Sequence, residues 1–321
     1  FHRVGDVFTP VRNGYNSLRL PDGSYDYRSF GMGAVQVLGQ NYLKEKIEKY
    51  PEEKIYRETL EKLGKGESEH FYKLGEDERR MHRGQLYMDM GGNRYVRISE
   101  DSFEYALKLD TWAGTVDLAL ESISDPIVMD NNAPILVGNG EMQGYSYPHV
   151  VAKGNFIHDD EPQEVSGWAW MNHFWGKPES SAMDHYEIIT LKLDNGGALF
   201  IAAFHDEESL VDSNVAYMHP DGNTDFMWKI ELEPTETFSG PISKRIYNIG
   251  WKLSGDVQGR IEPLARESEM MIDQGVGAFW LGPCAIEAVF EELDGAKVGG
   301  KGFCRVAGSE IEPGQAVSKS Q

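Results

Sequence analysis

Residues 165–178, VSGWAWMNHFWGKP, combine three indole rings with one imidazole, a set of side chains suited to chemistry on a π-bond. Indole faces stabilise a developing positive charge by cation–π attraction, and the imidazole of His173 can move a proton near neutral pH. We expect Asn172 to hydrogen-bond the ring of His173. The three tryptophans are Trp168, Trp170 and Trp175. The alternative interpretation is a row of core side chains on one face of a strand, although the two polar residues would then need partners in a dry core.

A hairpin that follows carries further proton-transferring groups. The segment HYEIITLKL, which begins at His185, and the segment ALFIAAFHD, which ends at Asp206, flank an Asp-Asn-Gly-Gly turn typical of a β-hairpin. We expect Leu193 to face Ala198 across this turn. In that register, His185 lies opposite Asp206 at the open end of the hairpin, beside His205.

The second strand of this hairpin presents an apolar face that ends in an acid. Because side chains alternate along a strand, Phe200 and Phe204 share a face with Asp206. A carboxyl group buried among these rings would keep its proton at neutral pH, because desolvation disfavours the carboxylate. This pattern predicts an apolar pocket with a proton donor at its mouth. The alternative is a solvated turn acid, since Asp206 lies in the run HDEES.

Short apolar segments separated by turn signals dominate the rest of the chain. The segments are rich in Val, Ile, Tyr, Phe and Trp, which favour strands. The turn signals are LPDGS at 20–24, LDNGGA at 193–198, HPDGN at 219–223 and LDGAK at 293–297. This pattern predicts an all-β, mainly antiparallel fold.

One segment has helical spacing instead. Apolar side chains in residues 41–66 recur three or four positions apart, which predicts two short helices packed on the β scaffold. We expect Pro51, Glu52 and Glu53 to form the first turn of the second helix, because proline and acidic side chains suit that position.

The chain is long enough for about two domains. The loop-rich stretch 124–148 is the best candidate for a boundary. We therefore expect an amino-terminal domain over residues 1–150, a carboxyl-terminal domain over 151–310 and a disordered tail over 311–321.

Composition excludes several classes of function. The formal charge of −21 would repel nucleic acid and anionic membrane surfaces, so we expect neither as a partner. No apolar run approaches the roughly 20 residues of a membrane-spanning helix, so we expect no integral membrane segment. The expected location is the cytoplasm, with a removed leader before Phe1 left open. No feature indicates the oligomeric state.

Motifs for cofactors and metals are missing from the sequence. GMGAVQ, GNGEMQG and GVGAFW lack the third glycine of a dinucleotide-binding loop, and no Walker A or G-x-S-x-G motif occurs. The nine histidines show no metal-ligand spacing, so we expect no metal and no organic cofactor. Cys284 and Cys304 lie outside any C-x-x-C pair, and we expect two buried free thiols rather than a disulfide.

Several separate motifs, in order, resemble the carotenoid 1,2-hydratase (hydroxyneurosporene synthase) family, a calycin-like group to which fungal lipocalin-like Diels–Alderases and rearrangement cyclases are similar. The resemblance covers about residues 144–308. It is carried by GYSYPHVVAKGNF, VSGWAWMNHFWG, LKLDNGGALFIAAFHDEE and FWLGPCAIEAVFEELDGAKVGGKGFCRVAG. At three positions where that family commonly has an acid, this chain has Asn172, Leu281 and Arg305, which favours cyclisation or rearrangement over carotenoid hydration itself.

The resemblance implies a β-sandwich-like amino-terminal domain joined to a lipocalin-like β-barrel, with a hydrophobic ligand inside or between them. It implies that His173, Trp175 and Asp206 act on an alkene. Together with the residue patterns, it leads us to predict His173, Asp206 and Asn172 as the catalytic side chains. The expected substrate-binding side chains are Trp168, Trp170, Trp175, Tyr145, Tyr147, Phe200, Phe204, His185 and Trp280.

We therefore expect a cofactor-independent lyase or isomerase that acts on a hydrophobic polyene or isoprenoid-derived substrate. Its pocket would protonate or polarise a π-bond or an epoxide and direct the product to hydration, rearrangement or cyclisation. Two alternatives remain. One is a Diels–Alderase-like pericyclase that acts by shape and polarisation, and the other is a lipocalin-like carrier that does no chemistry.

Overall fold

In the computed structural model, the described residues are 2–4, 7–9, 13–31, 33–65, 71–73, 79–82, 87–99, 102–129, 135–137, 140–177, 185–205, 210–227, 230–241, 243–272, 277–290, 293 and 295–310. Antiparallel strands dominate these residues, and two large sheets form most of the structure. The all-β fold that the turn pattern predicts is confirmed.

The amino-terminal part holds two small sheets and two helices. Its elements are β1 (His2–Val4), β2 (Val7–Thr9), β3 (Asn13–Arg19), β4 (Tyr25–Gly31), α1 (Gly33–Lys49), α2 (Lys54–Lys65) and β5 (Phe71–Lys73). Strands β1 and β2 pair with each other, whereas β3, β4 and β5 form a three-stranded sheet. Within this second sheet, β4 and β5 run parallel.

The two helices predicted for residues 41–66 are present with different boundaries. Helix α1 begins well before residue 41, and Pro51 lies in the turn between the helices, as do the two glutamates that follow it. The prediction that they form the first turn of the second helix is wrong. Proline disfavours helix at the residue before it, Tyr50, and the amide of Glu53 closes the turn on the carbonyl of Tyr50 at 3.1 Å. Leu43 and Tyr56 are fully buried between the helices.

The first large sheet has nine strands. They are β6 (Arg79–His82), β7 (Tyr87–Met90), β8 (Asn93–Arg97), β9 (Glu104–Thr111), β10 (Gly114–Ser122), β11 (Ile127–Val128), β12 (Ile135–Val137), β13 (Gly140–His158) and β14 (Glu161–Lys177). Strand β13 is the longest and pairs with β10, β11, β12 and β14. The order β10-β9-β8-β7-β6 continues the sheet to its far edge.

The second large sheet has eleven strands. They are β15 (Tyr186–Leu193), β16 (Ala198–His205), β17 (Leu210–Met218), β18 (Thr224–Met227), β19 (Ile230–Ser239), β20 (Arg245–Gly255), β21 (Val257–Pro263), β22 (Glu269–Ile272), β23 (Gly277–Phe290), β24 (Lys297–Ala307) and β25 (Ser309–Glu310). Their order is β18-β17-β16-β15-β24-β23-β21-β20-β19, with β22 on β23 and β25 on β20.

The second large sheet curls into a half-barrel. The ring centroids of Tyr217 on β17 and Phe290 on β23 lie 5.1 Å apart, although three strands separate β17 from β23 in the sheet. The concave side is filled by one apolar cluster that includes the fully buried rings of Trp251, Trp280 and Tyr247. This architecture confirms the predicted lipocalin-like fold.

The hairpin of β15 and β16 is one residue out of the predicted register. Lys192 faces Ala198, so the prediction that Leu193 faces Ala198 is wrong. The amide of Leu193 instead donates to the carbonyl of Gly197 at 2.9 Å. Gly196 has a φ of 89°, the left-handed conformation that completes a three-residue turn with a bulge. The turn is therefore shorter by one residue than the predicted one.

The shorter turn changes the pairs at the open end of the hairpin. His185 faces His205, whose amide donates to the carbonyl of His185 at 3.0 Å, so the predicted pairing of His185 with Asp206 is wrong. Asp206 itself lies outside the described residues. Phe200 and Phe204 share a face as predicted, because both are buried in the same cluster on the convex face of the half-barrel, whereas the place of Asp206 on that face stays a prediction.

This convex face packs against the first large sheet. Phe200 meets Phe174 of β14 with ring centroids 6.3 Å apart, and both belong to an apolar cluster between the sheets. Ile127 and Met142 complete this cluster from the first sheet and are nearly inaccessible to solvent. Each fully buried apolar side chain of this size contributes about 1.5–3 kcal/mol. The cluster therefore fixes β14 against the hairpin of β15 and β16.

Cys284 on β23 and Cys304 on β24 are buried free thiols, as predicted. Cys284 faces Gly302 and Cys304 faces Gly282, so the thiols lie diagonally across one pair of strands. Burial raises the pKa of the Cys304 thiol well above its usual value, and a hydrogen bond with Cys284 acts in the same direction.

We expect neither thiol to react with a maleimide in the folded protein. The thiolate is the reactive species, and burial both disfavours it and blocks access to it. Mass spectrometry should find no adduct under native conditions and one adduct on each cysteine in guanidinium chloride. Rapid native labelling of either cysteine would contradict the buried position.

The domain division stays a prediction. Residue 150, the predicted boundary, lies inside β13, and the chain passes from the first large sheet to the second between β14 and β15. Residues 311–321, predicted as a disordered tail, lie outside the described residues. Neither of the two helices described is long and apolar enough to cross a membrane.

Candidate functional site

The aromatic run of β14 is divided between the two faces of the strand. Pairing with β13 places His173 opposite Tyr145 and Trp175 opposite Gln143. One side of the strand pair carries Tyr145, Tyr147, His173 and Trp175. We call it the cleft face, because a cleft that is described below opens along it. The opposite side faces the half-barrel, and it carries Trp168, Trp170, Asn172 and Phe174. The predicted residues therefore do not form one pocket.

His173 and Tyr145 form a hydrogen-bonded pair on the cleft face. The Nδ1 atom of His173 lies 3.0 Å from the Tyr145 hydroxyl oxygen, and the two rings meet edge to face. Trp175 is 46% exposed, and its ring centroid lies 5.2 Å from that of His173. Burial raises the pKa of the Tyr145 phenol, and the neighbouring Tyr105 and Tyr147 act in the same direction. Tyr145 therefore keeps its proton at neutral pH.

A continuous row of aromatic rings extends from this pair across the sheet. Ring centroids are 5.7 Å apart for Tyr145 and Tyr147, 4.1 Å for Tyr147 and Phe103, and 4.4 Å for Phe103 and Tyr105. Tyr95 stacks on Tyr105 at 4.8 Å. We call these five residues the aromatic row. Sequence reasoning missed Tyr95, Phe103 and Tyr105, although aromatic residues two positions apart, at 103 and 105, were a usable signal.

Asn172 does not orient His173. Its side-chain oxygen accepts hydrogen bonds from the Ser146 hydroxyl and from the indole N–H of Trp170, the latter at 2.8 Å. These contacts lie on the opposite face of β14 from the imidazole, because consecutive side chains of a strand point to opposite sides. The predicted contact between Asn172 and His173 is therefore wrong, and Tyr145 takes that place.

A cleft of about 920 Å³ opens along the aromatic row. Phe103, Tyr105, Tyr145 and Tyr147 contribute rings to its lining. The tips of two hairpins of the half-barrel, at Gly196 and at 220–222, close one side. The cleft thus lies where the first large sheet meets the turns of the second, and its size suits a small organic molecule.

One end of the cleft holds His149 and Lys192. The pairing of β13 with β14 is irregular between Tyr147 and Val150, and such a bulge re-aims side chains. His149 contacts the backbone of Gly197 and lies near Lys192. Burial lowers the pKa of His149, and the Lys192 charge acts in the same direction, so the ring is neutral at pH 7. No sequence signal marked this end, because a bulge is not visible in residue spacing.

The remaining predicted substrate-binding residues lie elsewhere. Phe200 and Phe204 are buried between the sheets, and Trp280 is buried inside the half-barrel, where its indole N–H donates to the carbonyl of Arg266 at 2.6 Å. His185 lies half-buried before β15. None of these four lines the cleft, and of the other predicted side chains only Tyr145 and Tyr147 do so directly; His173 and Trp175 lie beside Tyr145.

Among the described residues, no group of three or more His, Cys, Asp or Glu side chains could hold a metal ion. The expectation that the protein needs no metal or organic cofactor stays a prediction.

Comparisons with known proteins agree with this architecture. Residues 59–309 match the model of a family described as AttH-like. That family is carotenoid hydratase-like and lipocalin-like, so the resemblance predicted from the sequence is confirmed, and the match extends further towards the amino end than residue 144. A search of curated protein sequences gave no match.

Two solved structures share the fold. A protein assigned as AttH from Nitrosomonas europaea superposes with a TM-score of 0.62 at 20% identity, covering 70% of each chain. Kievitone hydratase from Nectria haematococca superposes with a TM-score of 0.60 at 15% identity, covering 70% of this chain and 71% of that one. At such identities the likeness establishes the fold and not the activity.

Proposed function

Since the chain belongs to the AttH-like family, we propose that it is a hydratase-like enzyme whose active site is the cleft of the first large sheet. The hydrogen bond between His173 and Tyr145 is the main support, because Tyr145 lines the cleft and His173 provides its hydroxyl with a proton acceptor. The name of kievitone hydratase adds support, since that protein has the same fold.

In the proposed reaction, water adds across a carbon–carbon double bond. The water oxygen bonds to one carbon, the other carbon receives a proton, and no electrons are exchanged with a cofactor. Tyr145 takes the proton of the attacking water as its own hydroxyl proton passes to His173. Asp206 remains the proposed proton donor to carbon, and Trp175 the proposed stabiliser of positive charge. The same groups in reverse would remove water.

The proposed substrate is an alkene-bearing hydrophobic molecule, of the polyene or isoprenoid-derived type, that also carries polar groups. The cleft combines the aromatic row with the charged side chains of Arg97, Asp125, Asp221 and Lys192. A purely apolar polyene would remove these charges from water without giving them partners, which is costly. An amphipathic molecule fits this lining better.

Turnover in heavy water tests the reaction type. We expect incubation with isoeugenol, an alkene conjugated to a ring, or geraniol, an acyclic isoprenoid, to yield a hydrated product with one deuterium on a nonexchangeable carbon. The reason is that hydration delivers a solvent proton to carbon. Mass spectrometry locates the label, and water enriched in heavy oxygen should label the new hydroxyl group.

Other outcomes identify the alternative functions. A cyclised product without deuterium would contradict hydration and favour a pericyclase, or opening of an epoxide by protonation at oxygen. Bound but unchanged ligand would favour a carrier. Its ligand would have to occupy the cleft, because the described side chains on the concave side of the half-barrel fill that space with buried rings.

A further inference from the structure

We propose that the cleft recognises aromatic ligands that carry an ionised acidic group, and that Lys192, positioned by Trp168, binds this group. The proposal rests on the proposed function only in placing the substrate in the same cleft. It adds the chemical class of the substrate and assigns a role to a lysine that sequence reasoning did not single out.

Lys192 is held at the cleft by an indole ring. It lies near the end of β15, it lines the cleft, and its ammonium nitrogen is 5.8 Å from the ring centroid of Trp168 on β14. The face of an indole ring attracts an ammonium group at this distance. Within the described part of the chain, no carboxylate forms an ion pair with Lys192. The ammonium group is therefore oriented by an uncharged partner, and its charge remains available to a ligand.

Lys192 is the cation at this end of the cleft, which the side chains of Asp125 and Asp221 also line. His149, beside Lys192, is neutral at pH 7, because burial lowers its pKa. The carboxylate of Asp221 accepts hydrogen bonds from the amide and the side chain of Asn223 at 3.0 and 2.9 Å, so it is engaged within its own turn. In a chain with a net charge of −21, a cation in a concave site is the feature that lets an anion bind there.

The aromatic row supplies the second half of the recognition. Rings of Tyr145, Tyr147 and Phe103 line the same cleft as Lys192 and offer edges and faces to a planar ligand. Aromatic pairs of this kind attract each other beyond the burial of apolar area. A ring system with one anionic substituent satisfies both groups at once, whereas an uncharged ligand leaves the lysine without a counter-charge.

The same geometry gives Trp168 a different role from the predicted one. Sequence reasoning assigned its ring to stabilising a positive charge on the substrate, but Lys192 already provides the cation over that ring. Trp168 is thus a positioning residue for the lysine.

Two fluorescent probes that differ by one anionic group test the proposal. Anilinonaphthalene sulfonate and its uncharged parent, N-phenyl-naphthylamine, share the same rings. We expect Lys192→Met to weaken binding of the sulfonate about 10- to 150-fold, because a hydrogen bond to a charged group is worth about 1.5–3 kcal/mol, and to leave the affinity for the uncharged probe unchanged. Lys192→Arg should restore the affinity.

Three further variants locate the probes. Tyr147→Leu should weaken the binding of both probes, since the rings of each probe would contact the aromatic row. Trp168→Leu should weaken the sulfonate alone, and by less than Lys192→Met. Lys108→Met, at an exposed position of β9, is the matched control and should change neither. In the wild type, affinity for the sulfonate should fall with added salt, and this dependence should be largely lost in Lys192→Met.

Equal effects of Lys192→Met on both probes, or no effect on either, would overturn the assignment. So would unchanged binding of both probes in Tyr147→Leu, because the rings would then lie elsewhere. These are binding measurements, so a negative result leaves the heavy-water test of hydration untouched. An unlabelled product in that test would equally leave the role of Lys192 standing.

Discussion

Replacing His173 by glutamine is expected to lower the turnover number about 100- to 10,000-fold, the usual cost of removing a positioned proton-transfer group. The melting temperature should stay nearly unchanged, because the imidazole is exposed and its one described hydrogen bond goes to Tyr145. Tyr145→Phe should have a similar effect on turnover, since it removes the hydroxyl that connects His173 to the cleft. The double variant should be little worse than either single one, because the two groups act as a unit.

Tyr95→Phe is the matched control for this prediction. Tyr95 belongs to the same aromatic row, and its buried hydroxyl has no hydrogen-bond partner among the described residues. Removing that hydroxyl should leave turnover unchanged and should not destabilise the protein. Turnover is measured by mass spectrometry on whichever alkene acquires solvent deuterium. Wild-type rates in both His173→Gln and Tyr145→Phe would remove the pair from the mechanism.

The fold could be predicted from the sequence because its signals are local. Glycine after polar residues predicted the turns, and Gly196 takes the left-handed conformation that such a turn requires. The register of β15 and β16 could not be predicted, because the same four turn residues allow either a three- or a four-residue loop. The helix boundary near Pro51 failed for a related reason, since proline suits a first helical turn and a connecting turn equally well.

The site was predicted less completely, because it depends on which face of β14 each side chain occupies. His173, Trp175, Tyr145 and Tyr147 were predicted and do lie together. Asn172 was assigned to the same site because it precedes His173, but neighbours in a strand point apart. Lys192 and Trp168 contact each other from two different sheets and are 24 positions apart in the sequence. No local sequence pattern predicts such a contact.

Two tryptophans that the sequence placed in one binding site should respond in opposite ways to replacement by alanine. Trp280 is fully buried, and its indole N–H donates to the Arg266 carbonyl, so Trp280→Ala should cost about 3–5 kcal/mol of unfolding free energy. At about 2 °C per kcal/mol, the melting temperature should fall by roughly 6–10 °C. Trp175 is 46% exposed, so Trp175→Ala should change stability by about 0.5 kcal/mol or less.

Turnover should follow the reverse order in these two variants. Loss of the Trp175 ring should lower turnover about 2- to 30-fold, since a cation–π contact is worth about 0.5–2 kcal/mol. The folded fraction of Trp280→Ala should retain its activity, because the ring lies inside the half-barrel and away from the cleft. If that variant is too unstable to purify, Trp280→Phe keeps most of the ring and should show a smaller loss of stability with normal turnover. A Trp280 variant that melts like the wild type but has lost activity would show that the ring contacts substrate, and the assignment of the active site to the cleft would then be wrong.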